Sequence, residues 1–247
     1  MSRPTLFLST PCYGGLCLQA YAESLIKLLT LCIKSGVDMR LDMTENESLI
    51  TRARNVSIGR FLYKTKCDYF MFIDADIHFD PESVIRFINA GYDVTVAAYP
   101  KKGIMWSQVE NSVLRGDKRN PATLSSALVM SFIQDEGGVK AKNGFVEVLD
   151  GPTGFMMIKR KVIEDMYKAY PELNCVNDHQ NRDIEGYCAI FDCMIDPQTK
   201  RYLSEDYAFC RRYQAIGGKI YADIETTLGH VGNIRFQGSL RERSINS

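Results

Sequence analysis

Two carboxylates stand at the end of an apolar run. From Asp68 to Pro81 the chain reads Asp-Tyr-Phe-Met-Phe-Ile-Asp-Ala-Asp-Ile-His-Phe-Asp-Pro. Tyr69 to Ile73 is uninterrupted apolar and aromatic sequence, the pattern of a strand buried on both faces. Asp74 and Asp76 follow at its mouth. Burying carboxylates unpaired is costly. Two of them here call for a positive partner, and a divalent cation carrying phosphates meets that need economically. Asp-x-Asp arises often from composition alone. Its position, more than its pattern, carries the signal. His78 reads as a loop residue outside the ligand set.

Three further groups are candidates for the same site. Thr10-Pro11-Cys12-Tyr13-Gly14-Gly15 follows a short apolar run. Glycine there lets backbone approach a ligand, and Tyr13 can stack on a base; a plain strand-to-helix turn needs the same residues. Arg52 and Arg54 lie two apart in Thr51-Arg52-Ala53-Arg54-Asn55. On a helix they face different ways, so one reaches phosphate or base while the other is solvated or paired. Glu205 and Asp206 follow Ser204 at a helix start. The helix dipole favours acids there, which gives the pair a structural reading. Asp150 opens a Gly-Pro-Thr-Gly turn. His230, between Gly229 and Gly232, falls on a predicted loop after the last strand, placed either to complete a metal site or to cap that strand.

The elements that must position these residues follow from periodicity. Strands are expected at Thr5–Ser9, Val37–Met43, Tyr69–Ile73 and Asp93–Tyr99. Between them, helices are expected over Leu16–Lys34, from Ser48 or Thr51 to Lys64, and from Pro81 to Gly91. Gly36 is placed to close the first helix. This alternation predicts an α/β fold: a mostly parallel central sheet flanked by helices, with ligands at the carboxyl ends of the strands. The second half is less regular. Lys101–Pro121 reads as a long loop. Leu128–Ile133 and Phe145–Leu149 read as a strand pair around a Gly-Gly turn, a smaller antiparallel element. Phe155–Ile158 and Lys219–Ala222 are further strands, Lys161–Ala169 and Ser204–Ile216 further helices. Cys175–Arg182 reads as polar and mobile. No linker divides the chain, so residues 1–247 are read as one domain: a nucleotide-type half over 1–100, a more variable half over 101–232, and a tail over 233–247.

Bulk properties exclude several function classes. Thirty Lys and Arg balance thirty Asp and Glu in 247 residues, which argues against nucleic acid as a partner. No apolar run approaches the ~20 residues of a membrane span, and no segment has the form of a signal peptide. The eight cysteines are scattered without Cys-x-x-Cys pairs. They read as reduced, mostly buried residues of a cytoplasmic protein, and zinc is not expected. Oligomeric state is not legible.

Read in order, Ser9-Thr10-Pro11, Arg52-Ala53-Arg54-Asn55, Phe72-Ile73-Asp74-Ala75-Asp76, Asp150-Gly151-Pro152-Thr153-Gly154-Phe155, Ser204-Glu205-Asp206-Tyr207 and Leu228-Gly229-His230 resemble nucleotide-sugar glycosyltransferases of the GT-A fold. The similarity is greatest to the small enzymes of large viruses (the chlorella-virus type), phages and bacteria. It covers residue 5 to about 232 through six motifs in order. The resemblance implies a Rossmann-like sheet and a nucleotide-sugar donor, UDP- ahead of GDP-. It implies a hydroxyl acceptor on a glycan or another molecule, and Mn2+ or Mg2+ bridging the diphosphate. In its terms Asp76, Asp74 and His230 are metal ligands. Thr10, Pro11, Tyr13, Arg52, Arg54, Asp74, Ala75 and Gly154 line the donor. Asp206 is the base, with Glu205 beside it and Asp150 as the next candidate. A single base with no opposing nucleophile points to inversion of a transferred hexosyl group, and the host cytoplasm is the expected location if the source is viral.

Competing readings are a sugar nucleotidyltransferase and a nucleotide- or carbohydrate-binding module without catalysis. The first calls for a basic Gly-rich loop, but Cys12–Leu18 holds no Lys or Arg. A phosphatase with an Asp-x-Asp nucleophile would carry its motif after the first strand rather than the third. A binding module would not need Asp206.

Overall fold

Apolar runs lay out the sheet, and amphipathic segments cover it. A computed structural model describes residues 3–118, 126–133, 141–178, 183–232 and 235–238. Its first strands are β1 (Thr5–Cys12), β2 (Asp38–Glu45), β3 (Tyr69–Ile73), β4 (Ile77–His78) and β5 (Val94–Ala97). They are followed by β6 (Ser131–Phe132), β7 (Phe145–Asp150), β8 (Phe155–Lys159), β9 (Asn174–Val176) and β10 (Gly186–Cys188). The last are β11 (Met194–Ile195), β12 (Tyr202–Leu203), β13 (Ile220–Asp223), β14 (Leu228–Val231) and β15 (Arg235–Gly238). The helices are α1 (Gln19–Ser35), α2 (Ile50–Lys64), α3 (Glu82–Ala90), α4 (Trp106–Leu114), α5 (Arg160–Ala169) and α6 (Glu205–Ala215).

Eight strands form the central sheet in the order β2-β1-β3-β8-β5-β13-β7-β6. Six run one way, and β7 and β8 run against them. The architecture is therefore α/β with a mostly parallel sheet. Strands β8 and β13, from the second half of the chain, are inserted among β3, β5 and β7. The two halves share one sheet.

β3 shows why an unbroken apolar run was needed. Phe70 and Phe72 point into a core beneath α2, α5 and α6, while Met71 and Ile73 point into a second core beneath α1 and α3. All four are fully buried. With alternate side chains on opposite faces and both faces covered, no position on the strand tolerates a polar residue. Each such side chain contributes about 1.5–3 kcal/mol by leaving water. The first polar position after it, Asp74, is where the strand emerges.

Several elements differ from the sequence expectation. β1 runs through Pro11 to Cys12 rather than stopping at Ser9. Beyond Ser9 it has left β3 and pairs only with β2, and a proline is tolerated where one neighbour is missing. Lys101–Pro121 is not all loop: α4 occupies Trp106–Leu114. Of its residues only Ser112 is buried. Cys175–Arg182 begins as strand β9, paired with β10. His230 lies in strand β14 rather than on a loop, because β14 pairs with both β4 and β15. Part of the expected tail is thus strand β15. The Gly-Gly turn at 137–138 lies outside the described residues. No described cysteine is in a disulfide, and Cys17 and Cys175 are exposed while five are buried. Among the described residues no helix is long and apolar enough to cross a membrane.

Candidate functional site

The carboxyl ends of β1, β3 and β5 open into a cleft of about 500 Å3 lined by Pro11, Tyr13, Leu16, Cys17, Leu18, Ile50, Asp74, Ala75, Asp76, Lys102, Val231 and Gly232. The Asp-x-Asp segment is held as a tight turn at its floor. The Asp74 N–H donates to the Gly154 carbonyl at 3.1 Å, and the Ile77 N–H returns to the Asp74 carbonyl at 3.0 Å. The Ala75 carbonyl accepts the Leu18 N–H at 2.9 Å.

Asp76 meets His230 through strand pairing. His230 stands opposite Ile77 in the β4–β14 ladder, and the Val231 N–H donates to the Asp76 carbonyl at 2.9 Å. The result is a distance of 3.4 Å between His230 Nε2 and Asp76 Oδ2. His230 Nδ1 lies 2.9 Å from the Pro100 carbonyl oxygen. That oxygen can only accept, so Nδ1 carries a hydrogen; Nε2 donates to Asp76 when it too carries one and offers a lone pair there when it does not. Edge-on packing against Tyr99, with ring centroids 5.0 Å apart, fixes the imidazole plane. Lys102 Nζ reaches the same Asp76 oxygen at 2.5 Å. Burial pushes the Asp76 carboxyl up, but hydrogen bonds from His230 and Lys102 outweigh this and hold it below the ordinary range.

Asp74 is held differently. Arg54 Nη2 lies 3.1 and 3.3 Å from its two oxygens, and Arg54 Nε lies 3.2 Å from Glu205 Oε1. Arg54 is 3% exposed and its guanidinium stands 4.9 Å over the Phe72 ring. It ties the Asp-x-Asp turn to the start of α6. Asp74, expected among the metal ligands, is thus neutralised by an arginine. Arg52 points the other way and pairs with Glu47 and, at 3.5 Å, with Asp178. Asn55, next in the motif, accepts the Phe191 N–H at 2.9 Å.

Asp206 is half-buried beside this bridge. Burial raises its carboxyl above the ordinary range; a hydrogen bond from Ser204 opposes the rise and the charge on Glu205 adds to it. Ser204 precedes α6 but makes no side-chain bond to the helix backbone. Its hydroxyl donates to Asp206 instead, and Asp206 accepts the Tyr207 N–H at 2.8 Å. Asp150 is fully buried and clamped by Arg211 at 2.9 and 3.0 Å. A base so enclosed cannot reach a substrate.

The remaining expected residues fall at varied places. Pro11, Tyr13 and Ala75 line the cleft, with Tyr13 73% exposed. Thr10 is fully buried, its hydroxyl paired with Tyr21, so it supports the floor without presenting a side chain to a ligand. Gly154 packs against Tyr99, where a Cβ would come within 2.6 Å of the hydroxyl. Sequence reasoning missed Tyr99 and Lys102. A basic pair, Lys101-Lys102, directly after a strand at the carboxyl edge was the available signal.

Among the described residues no three His, Cys, Asp or Glu side chains converge as a metal cage. Asp76 and His230 nonetheless suit a hard cation that keeps water and takes its other ligands from phosphate. The donor set is one carboxylate and one imidazole of fixed tautomer, and an ammonium is already drawn to the carboxylate. A larger cleft of about 660 Å3 lies beside α3. Its Arg86 is closed onto buried Asp223 and the Asn143 carbonyl, which leaves it no comparable chemistry.

No protein-family model matches the chain, and no curated protein matches it by sequence. Some solved structures resemble it. "A197 from STIV" is 18% identical with a TM-score of 0.49, over 93% of this chain and 86% of that one. "A glycosyltransferase involved in the glycosylation of the major capsid of PBCV-1" is 11% identical at 0.34, over 68% of each. "GalNAc-T7 with UDP, GalNAc and Mn2+" is 9% identical at 0.42, over 93% of this chain and 44% of that one. At such values likeness carries no functional weight, which rests with the geometry of the cleft.

Proposed function

We propose that this chain is a metal-dependent glycosyltransferase that moves a hexosyl group from a UDP-sugar to an acceptor hydroxyl with inversion. The observation that carries the reading is the meeting, at one sheet edge, of the Asp76–His230 pair and the Asp74–Arg54–Glu205 bridge. Four stretches of chain far apart in sequence, around Arg54, Asp74, Glu205 and His230, meet there beside a cleft with an exposed tyrosine at its mouth.

Each residue has a task that follows from its setting. Tyr13 offers a flat face to the base. Asp76 and His230 would hold Mn2+ or Mg2+, and the metal would supply positive charge against that gathering on the leaving diphosphate. Arg54 offsets one of the two charges of Asp74 and Glu205, which lessens the repulsion an anionic donor meets at the floor of the cleft. Asp206 takes the acceptor's proton; its raised affinity for a proton suits a general base. The transition state is oxocarbenium-like, so placed charge around the ring matters more than a strong nucleophile.

A thermal-shift panel tests this reading. UDP-sugar with Mn2+ should raise the melting temperature, whereas UDP-sugar with EDTA should not. At a hundredfold excess over Kd the gain is about 2.7 kcal/mol, or roughly 5–10 °C for a chain of this size. Equal shifts in Mn2+ and EDTA would remove the metal, and no shift with UDP-, GDP- or dTDP-sugars would remove the donor.

A further inference from the structure

Lys102 has a role that the metal-and-base reading leaves open. Its ammonium sits on the Asp76 oxygen that also faces His230 Nε2. That point between a carboxylate and an imidazole lone pair is where a divalent cation would be held. The protein's own cation already stands on that carboxylate oxygen.

The backbone that carries Lys102 is held by hydrogen bonds, while its side chain is partly exposed. Pro100 bridges Leu128. The Val129 N–H donates to the Tyr99 carbonyl at 3.1 Å, and the Lys101 N–H donates to the Ala127 carbonyl at 2.7 Å. The Ser126 hydroxyl closes the stretch by donating to the Gly103 carbonyl at 2.7 Å. The side chain itself is 38% exposed and makes its salt bridge at the mouth of the cleft. A lysine is a compact charge on a flexible four-carbon stem, so leaving Asp76 requires only a change of rotamer. The same segment also orients His230, through the Pro100 carbonyl.

We infer that Lys102 is a resident cation: it occupies Asp76 in the empty site, yields that oxygen to the metal-bound donor, and then holds the donor's diphosphate. The inference rests on the proposed function, since it takes a divalent cation and a nucleoside diphosphate as ligands. It adds a consequence that neither metal nor donor binding has alone. Free metal competes against Lys102 for Asp76, whereas metal arriving with a diphosphate gives the displaced ammonium a new anion. Lys102 therefore opposes metal binding in the empty site and favours it in the loaded one, which keeps the site from filling with metal before donor.

The signature is an opposite change in two binding measurements on the full chain. Mn2+ binding is followed by electron paramagnetic resonance of the free ion, first without nucleotide and then with saturating UDP. UDP affinity is measured by calorimetry at fixed Mn2+. Lys102→Gln should bind Mn2+ alone about tenfold more tightly than wild type and should bind UDP in Mn2+ about tenfold more weakly. Lys102→Arg should resemble wild type in both. If Lys102→Gln leaves Mn2+ affinity unchanged while Asp76→Asn lowers it, the resident-cation inference is wrong and the metal site stands. Should Lys102→Gln weaken both ligands, the lysine merely adds structure or charge, and the inference also fails. When wild type with UDP takes up no Mn2+, the metal reading itself falls and the inference falls with it.

Discussion

Asp206 and Arg54 show how one residue's setting decides its chemistry. A carboxylate whose proton affinity is raised by burial holds its proton to higher pH. Replacing Asp206 by Asn should cut turnover about 10²–10⁴-fold, as for a lost general base, while UDP-sugar affinity stays at the wild-type value. The acid limb of the wild-type kcat/KM profile should lie above 3.8, the ordinary value from which this carboxyl is raised. Linkage gives a second readout of the same shift. The contribution of a carboxyl with a raised folded value is complete below its unfolded value and is lost as pH rises through the folded one. Asp206→Asn should therefore gain thermal stability over wild type as pH climbs from about 3 to neutrality. A gap that narrows over that range would contradict the burial account. Arg54 carries the opposite burden. Its removal leaves Asp74 and Glu205 without their shared cation, so Arg54→Ala should cost about 3–5 kcal/mol in urea unfolding.

At the scale of elements, short strands outside the main sheet aim the site. β4 has only two residues, yet its pairing with β14 sets His230 against Asp76. The Gly154 turn performs a similar service from the other side. It accepts the Asp74 N–H and lies against Tyr99, whose ring steadies His230. Gly154→Ala would place a methyl within 2.6 Å of the Tyr99 hydroxyl. Relief must come from moving Tyr99, a buried ring, so overpacking should cost about 1–3 kcal/mol. UDP affinity in Mn2+ should fall further than the change in stability alone explains, because His230 shifts with the ring. Calorimetry on folded Gly154→Ala protein checks this, and wild-type affinity would show that Tyr99 does not position His230.

For the molecule as a whole, the interleaved sheet sets the expectation. β8 and β13 cannot leave without opening the partners that β3 and β5 depend on. Unfolding should be one cooperative transition, with far-UV and near-UV circular dichroism coinciding in denaturant. Two separated transitions, with one matching residues 1–100 expressed alone, would show halves that fold independently.

The sequence by itself determined the elements whose burial is local. Tyr69–Ile73 was legible as a two-faced strand, with its limits, because no polar residue interrupts it. Gly36 closing α1 was equally plain, since its φ of 70° suits glycine. That Arg52 and Arg54 face opposite ways follows from helix geometry, although nothing local told which would be buried. Other matters were settled only in three dimensions. Asp74 and Asp76 look equivalent in the chain, but Arg54 from α2 claims one and His230 with Lys102 claims the other. Their partners lie up to 154 positions away, as 230 − 76 shows for His230. His230 was expected at the edge of a parallel sheet and arrives through a separate antiparallel ladder. Lys102 passed as part of a polar loop. Asp150 looked like a spare base until Arg211 enclosed it. Local sequence records which residues prefer to leave water; which charges then meet depends on how distant strands pair, and no stretch of sequence holds both partners.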